Sequence, residues 1–187
     1  MMDRRVSGMR FEKVDKDVFK KAFLESESGS LQYVFDTNNI TDKFIDEIYD
    51  NIELPKRSTK GSAGYDFTYP VNMTIIQGMI IYLPTGIRWC SGGEENGFYL
   101  SLYPRSSLGI KFSLREPNLV SIIDEDYYGC ISNGGHIMLH LKNEGTNGDC
   151  FIKAKSGYCQ GIISRYYITE DDCTTNIRKG GVGSTTK

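Results

Sequence analysis

No apolar run in the 187 residues approaches the ~18 needed to span a bilayer. The opening stretch, Met1 to Asp17, has no apolar core of the secretory type, so a cytoplasmic protein with no membrane partner is expected. Proline is scarce, and the glycines follow no collagen period. Charge of one sign is also lacking. The 22 Lys and Arg against 24 Asp and Glu leave a net charge of −2, which excludes a basic nucleic-acid coat. A small anionic ligand remains compatible, because it needs only a few local cations. The cysteines at 90, 130, 150, 159 and 173 form no CxxC pair, and free, mostly buried thiols are expected. His136 and His140 alternate with Ile137, Leu139 and Leu141, which reads as a strand with a polar face at 136, 138 and 140. Without a third ligand in sight, zinc is not expected there.

What is present falls into two regimes. Residues 1–53 are dense in charge, with apolar residues at helical spacing. Val14, Val18, Phe19, Ala22 and Phe23 share one face, Phe44, Ile45, Ile48 and Tyr49 repeat the pattern, and Ser26 to Ser30 breaks the two helices apart. From Leu54 onward the pattern becomes that of strands: Met79–Leu83 before Pro84, Phe98–Tyr103 before Pro104, then Ile131, Ile137–Leu141 and Gly161–Ile168. Glu94 and Glu95 sit in a Gly-rich stretch that reads as a hairpin tip. Many short strands with frequent turns predict an all-β sandwich or jelly-roll barrel with short N-terminal helices. The expected division is 1–53, a helical extension; 54–177, the barrel; and 178–187, a tail that is mobile on its own.

Three segments carry chemistry. Pro104-Arg-Ser-Ser-Leu-Gly109 places an Arg and two hydroxyls at a predicted helix start, which suits either an anion site or an ordinary cap. Asn118 through Gly129 leads a β-branched run into an acidic turn. Asp124 and Asp126 would face one side, either as a water-orienting base or as a solvated surface. The tail from Arg178 offers Gly180, Gly181 and Gly183 with Ser184 and Thr185, fit for cradling phosphate or for a plain floppy end.

Taken in order, these segments resemble the trimeric dUTP diphosphatase (dUTPase) family, Firmicute and phage members in particular, over residues 54–187. The first of five motifs is similar to Leu54-Pro55 with Gly61-Ser-Ala-Gly-Tyr-Asp-Phe67. The second is Pro104–Gly109 and the third Asn118–Gly129, with thirteen positions from Arg105 to Asn118. Cys159-Gln-Gly-Ile-Ile163 resembles the fourth, and Arg178–Thr185 the fifth.

The resemblance implies a β-clip, jelly-roll homotrimer whose sites are each assembled from three chains. It implies that dUTP is hydrolysed with Mg²⁺ to dUMP and pyrophosphate, which limits uracil in DNA and supplies dUMP. By the same resemblance Asp124 is the general base for water attack on the α-phosphorus, and Asp66 supports the metal water and Arg105. Arg105, Ser106, Ser107 and Gln160 grip phosphate. Asn118 and the hairpin backbone near Ile123 read uracil, and Tyr127 packs on the deoxyribose and excludes a 2′-hydroxyl. Arg178, Val182, Gly183, Ser184 and Thr185 close over the γ-phosphate, with the Mg²⁺ held mainly by phosphates and waters. The triphosphate brings about four negative charges, so the ion and a few placed donors must neutralise it.

Three positions depart from the family pattern: Val182 for a uracil-stacking Phe, Ser121 for Gly, and Ser156-Gly157 for an acid–base pair. The related dCTP deaminases carry a catalytic Glu in a stretch like Leu139-His-Leu-Lys-Asn143, where this chain has His140. A non-catalytic nucleotide-binding regulator is the other alternative, with the N-terminal helices free to dock a regulatory protein partner.

Overall fold

The computed structural model describes residues 5–27, 31–35, 40–93, 97–178 and 180. The order is β1 (Met9–Lys13), α1 (Lys16–Glu27), α2 (Leu31–Val34), α3 (Asp42–Asp50), β2 (Tyr65–Thr68), β3 (Met73–Ile75), β4 (Ile80–Pro84), β5 (Ile87–Ser91) and β6 (Phe98–Pro104). There follow α4 (Ser106–Phe112), β7 (Leu114–Arg115), β8 (Ser121–Asp124), a 3-10 turn (Glu125–Tyr127), β9 (Met138–Asn143), β10 (Cys150–Ile152) and β11 (Gly157–Arg165). All strand pairs are antiparallel. The largest sheet runs β2-β11-β6-β8, beside β4-β9-β7 and two ribbons, β1-β5 and β10-β3. The chain is mostly strand with a few short helices, as its alternation predicts.

Period-two burial explains the strands. Leu139 and Leu141 of β9 and Ile87 and Trp89 of β5 point into the core while their neighbours face outward. The helices follow period 3.6: Phe19 and Phe23 of α1 and Ile45 and Ile48 of α3 are fully buried, and Thr41 caps α3 by accepting from Phe44 N at 3.2 Å. One hydrophobic cluster runs through both regimes. Phe35 stacks on Tyr69 with ring centroids 5.6 Å apart, which joins the helices to the barrel.

Four local readings change. Met9–Lys13 is a strand inside a region whose spacing predicts only helices; it pairs with β5, and Phe11 packs against Tyr65 and Phe67. Ile131 lies in a turn, 88% exposed, where a strand is expected, and Tyr166–Ile168 lie beyond the end of β11. His136 belongs to no polar face. It is fully buried beside Phe19, and its Nε2 accepts from Gly86 N at 2.9 Å. Cys130, Cys150 and Cys159 are buried, and all five cysteines are free thiols. Ser26 and Glu27 of the expected breaker belong to α1, while Ser28 to Ser30, the hairpin tip read at Glu94 and Glu95, and Val182 to Thr185 lie outside the described residues.

Candidate functional site

Two groups of residues stand at different places on the large sheet. The first surrounds the β6–α4 junction. Pro104 ends β6, and Arg105 stays extended while its amide donates to Tyr158 O at 3.1 Å. Its carbonyl accepts from Leu108 N and Gly109 N at 2.9 and 3.0 Å, which starts the helix and leaves Arg105, Ser106 and Ser107 exposed. A Cβ at Gly157 would stand 3.1 Å from Arg105 Nη1, so the bare backbone there leaves a lane for the guanidinium. On β11, Gln160 pairs with Asp66 of β2 on one side and Tyr103 of β6 on the other. The Asp66 carboxylate accepts from Ser58 Oγ, and its backbone bridges to Lys56. Arg105, Ser106, Ser107, Gln160 and Asp66 thus share one end of the sheet.

The second group surrounds the loop from β7 to β8. Asn118 is exposed at its tip, where Leu119 N donates to Glu116 O at 2.9 Å and Leu119 takes a left-handed φ of 70°. Ile123 turns its side chain into the core and leaves only backbone to a ligand, whereas Ile122 faces outward. Asp124 ends β8, and Asp126 sits in the 3-10 turn that follows. They converge through that turn, where their spacing suggests a continuing strand. Both carboxylates hold Arg178: Nη2 donates to Asp124 Oδ2 and Nε to Asp126 Oδ1 at 2.8 Å. The guanidinium lies 5.8 Å from the Tyr127 ring centroid. Tyr127 is buried, its hydroxyl donating to His136 O at 3.1 Å and accepting from Asn133 Nδ2 at 2.8 Å. Burial raises the Asp124 pKa and Asp126 adds to the rise, while Arg178 opposes it.

Within one chain the groups do not meet. Asp66, Gln160 and Tyr103 lie in one row of the sheet, and Tyr99 and Asp124 in another. Four residues along β6 and three strands across put Asp66 and Asp124 roughly 20 Å apart.

Motif spacing does not disclose Glu116, which is 1% exposed and accepts from Ser121 Oγ across the loop. Its Oε2 has no hydrogen-bond partner among the described residues, and His140 Nδ1 stands 3.8 Å from Oε1. Ser121 therefore supplies a hydrogen bond to a buried carboxyl that a glycine at this position could not. Burial, partly offset by Ser121 and the His140 backbone, pushes Glu116 up to about 7. Burial pushes His136 the other way, down to about 4.

The signs of the two differ. Glu116 binds its proton more tightly folded than unfolded, so its contribution is full below about 4.5 and lost as pH rises through 7. His136 contributes fully above about 6.5 and loses stability as pH falls toward 4. Between these limits the slopes oppose each other. Glu116→Gln removes one slope. In urea unfolding the variant is expected to gain about 2–3 kcal/mol on the wild type between pH 5 and pH 8. Parallel pH curves for the two proteins would show that Glu116 does not titrate in this range.

The family profile described as dUTPase matches residues 50–186. The chain is 34% identical over 137 residues to the deoxyuridine 5'-triphosphate nucleotidohydrolase of Lactococcus lactis subsp. lactis, a match covering 72% of this chain and 88% of that protein. It is 29% identical over 142 residues to the protein of that name from Paraburkholderia phymatum, covering 72% and 90%. Among solved structures it resembles dUTPase from Streptococcus mutans, with a TM-score of 0.54 and 34% identity over 63% of this chain and 88% of that one. The dUTPase from phage phi11 of S. aureus shares the fold, with a TM-score of 0.52 at 16% identity over 68% and 92%. The matched span takes in both groups of site residues, from the Asp66 strand through the Asp124 turn to Arg178, and on this ground the chain belongs to the dUTPase family.

Proposed function

We propose that the chain hydrolyses dUTP to dUMP and pyrophosphate with Mg²⁺, in a cytoplasmic homotrimer whose sites are shared between copies. The observation that carries this reading is Asp124, a half-buried carboxylate with a raised pKa at the exposed end of β8, inside the matched span. A carboxylate more basic than usual is suited to taking a proton from water. The water oxygen bonds to the α-phosphorus while its proton passes to Asp124. The bond from that phosphorus to the bridging oxygen breaks, and pyrophosphate leaves with the electron pair.

The other residues divide by position. Arg105, Ser106, Ser107 and Gln160 hold phosphate, and Asp66 would orient Arg105 and a water of the bound ion. Asn118 and the backbone at Ile123 read the uracil edge, and the Tyr127 ring packs on the deoxyribose, where a 2′-hydroxyl has no room. Arg178 leaves Asp124 for the γ-phosphate, and Val182, Gly183, Ser184 and Thr185 close behind it. The donor set fits Mg²⁺, which keeps waters and binds through one or two carboxylates and substrate phosphates. Phosphates and waters would hold the ion with the Asp66 carboxylate behind them, and no cluster of three or more His, Cys, Asp or Glu forms a closed cage among the described residues. When bound, the ion neutralises phosphate charge and polarises the α-phosphoryl group.

The 20 Å between the two groups supports assembly, since phosphate grip and base must meet around one nucleotide. Leu119 and Ile131 are 78% and 88% exposed, apolar surface of a kind that association covers. No helix among the described residues is long and apolar enough to cross a membrane.

The test is pyrophosphate release from dUTP, dCTP, dTTP and UTP with Mg²⁺, with ammonia assayed in parallel. Release from dUTP alone is expected. Ammonia from dCTP would replace this reading with deamination, and dUTP binding without turnover would make the chain a nucleotide-binding regulator.

A further inference from the structure

The 3-10 turn Glu125–Tyr127, which directly follows Asp124, is clamped from three sides. On one flank, Glu125 Oε2 accepts from Gly97 N and Phe98 N at 3.1 and 3.5 Å, and Oε1 accepts from the Tyr166 hydroxyl at 2.6 Å. Beneath it, a Cβ at Gly135 (φ +81°) would stand 2.7 Å from Tyr127 O and 3.0 Å from Tyr128 Cα, so the two loops pack backbone to backbone. On the other flank, the Tyr128 hydroxyl donates to Glu12 Oε2 at 2.9 Å.

This last clamp comes from outside the family-matched residues 50–186. Glu12 lies in β1, directly opposite Arg88 of β5 in the ladder. Arg88 Nε donates to Glu12 Oε2 at 2.9 Å, and Arg10 Nε to Oε1 at 2.5 Å. The Arg88 guanidinium also lies 5.2 Å from the Tyr128 ring centroid. The carboxylate is thus held by Arg10 of its own strand and Arg88 of the paired one, and it offers Tyr128 a fixed, charge-assisted acceptor.

We infer that Glu12 is a positioning residue for the Asp124 turn, acting through Tyr128. The inference rests on the proposed dUTP hydrolysis and adds to it a part for the N-terminal strand. Tyr128 stands four positions from Asp124 across a single tight turn, so releasing its hydroxyl loosens the base relative to the attacked phosphorus. Misplacement of about 1 Å at a reacting group costs on the order of a hundredfold, and a partial loosening costs less. The phosphate contacts proposed at Arg105, Ser106, Ser107 and Gln160 stand away from this turn, so most of the loss falls on kcat.

The experiment measures kcat and KM for dUTP with Mg²⁺, together with urea midpoints, for Tyr128→Phe, Glu12→Ala, Glu12→Gln and the double variant Glu12→Ala/Tyr128→Phe. Tyr128→Phe and Glu12→Ala are each expected to lower kcat about tenfold with KM within about twofold. Glu12→Gln keeps an acceptor and restores most of the rate. The double variant is no slower than the slower single, because both break one link. Wild-type kcat in Tyr128→Phe overturns the proposal even if Glu12→Ala fails to fold. So do losses that multiply in the double variant, or that appear in KM alone. A wild type that releases no pyrophosphate from dUTP overturns the hydrolysis reading and this proposal with it.

Discussion

Asp124→Asn is expected to lower kcat for dUTP about a thousandfold while KM stays within about threefold. General-base assistance contributes roughly 10²–10⁴ to a rate, and an amide cannot take the proton of the attacking water. The residues proposed to grip phosphate stand elsewhere, at the start of α4 and on β11, so binding survives. The fold survives as well: Asp124 is half exposed at a strand end, and its ion pair with Arg178 is of a kind worth about 0–1 kcal/mol. Unfolding midpoints that match the wild type would therefore accompany the loss of turnover.

The pH profile supplies a second reading of the same group. Burial raises the Asp124 pKa above the usual 3.8, and Asp126 adds to the rise. The catalytic form is the ionised one, so wild-type kcat/KM falls as pH drops through a value above the ordinary Asp range, and this limb is absent from the residual rate of the variant. Full activity in Asp124→Asn, or an unchanged acid limb, would remove Asp124 from the mechanism.

The sequence discloses local matters well. Alternation at Leu139 and Leu141 and helical spacing at Phe19 and Phe23 predict which side chains build the core, because burial is written in their period. Pro104 and the serines after it mark the end of a strand and the start of a helix. The strand Met9–Lys13 escapes because its alternation is five residues long and interrupted by charge; what makes it a strand is the partner at Ile87–Ser91. Likewise His136 has a polar side chain on an outward-looking pattern, yet Phe19 and the Gly86 amide enclose it from distant parts of the chain. The site divides along the same line. Motif spacing picks out Asp124, Arg105 and Gln160, but Glu12 on Tyr128, Glu116 on Ser121 and Arg178 on Asp124 are pairings across the fold that no spacing encodes. The separation of the two groups on the sheet is also a matter of register, which only strand order fixes.

Truncation after Ile177 is expected to reduce kcat/KM for dUTP by about 10²–10³ and to leave the barrel folded. The chain from Tyr166 to Ile177 is exposed throughout, with Tyr167 and Ile177 at 88% and 84%. The last strand has ended at Arg165, and Tyr166 is tied down by its amide on Gly97 O at 2.9 Å and its hydroxyl on Glu125. Cutting beyond these ties removes one surface ion-pair group, so the thermal midpoint should move by no more than about 3 °C. Turnover is another matter. Arg178 and the hydroxyls of Ser184 and Thr185 are the donors proposed to follow the γ-phosphate, and closure over it excludes water and fixes the α-phosphorus for attack.

The resting position of Arg178 sharpens the test. Holding both Asp124 and Asp126, it masks the base until a triphosphate, with about four negative charges, offers a stronger partner. Arg178→Ala unmasks Asp124 but loses one phosphate donor, and a fall of about tenfold is expected, smaller than that of the truncation. A truncated chain with wild-type kcat/KM would show that the tail is no lid. An Arg178→Ala variant faster than wild type would make the pairing with Asp124 a brake on the enzyme and not a stage in closure.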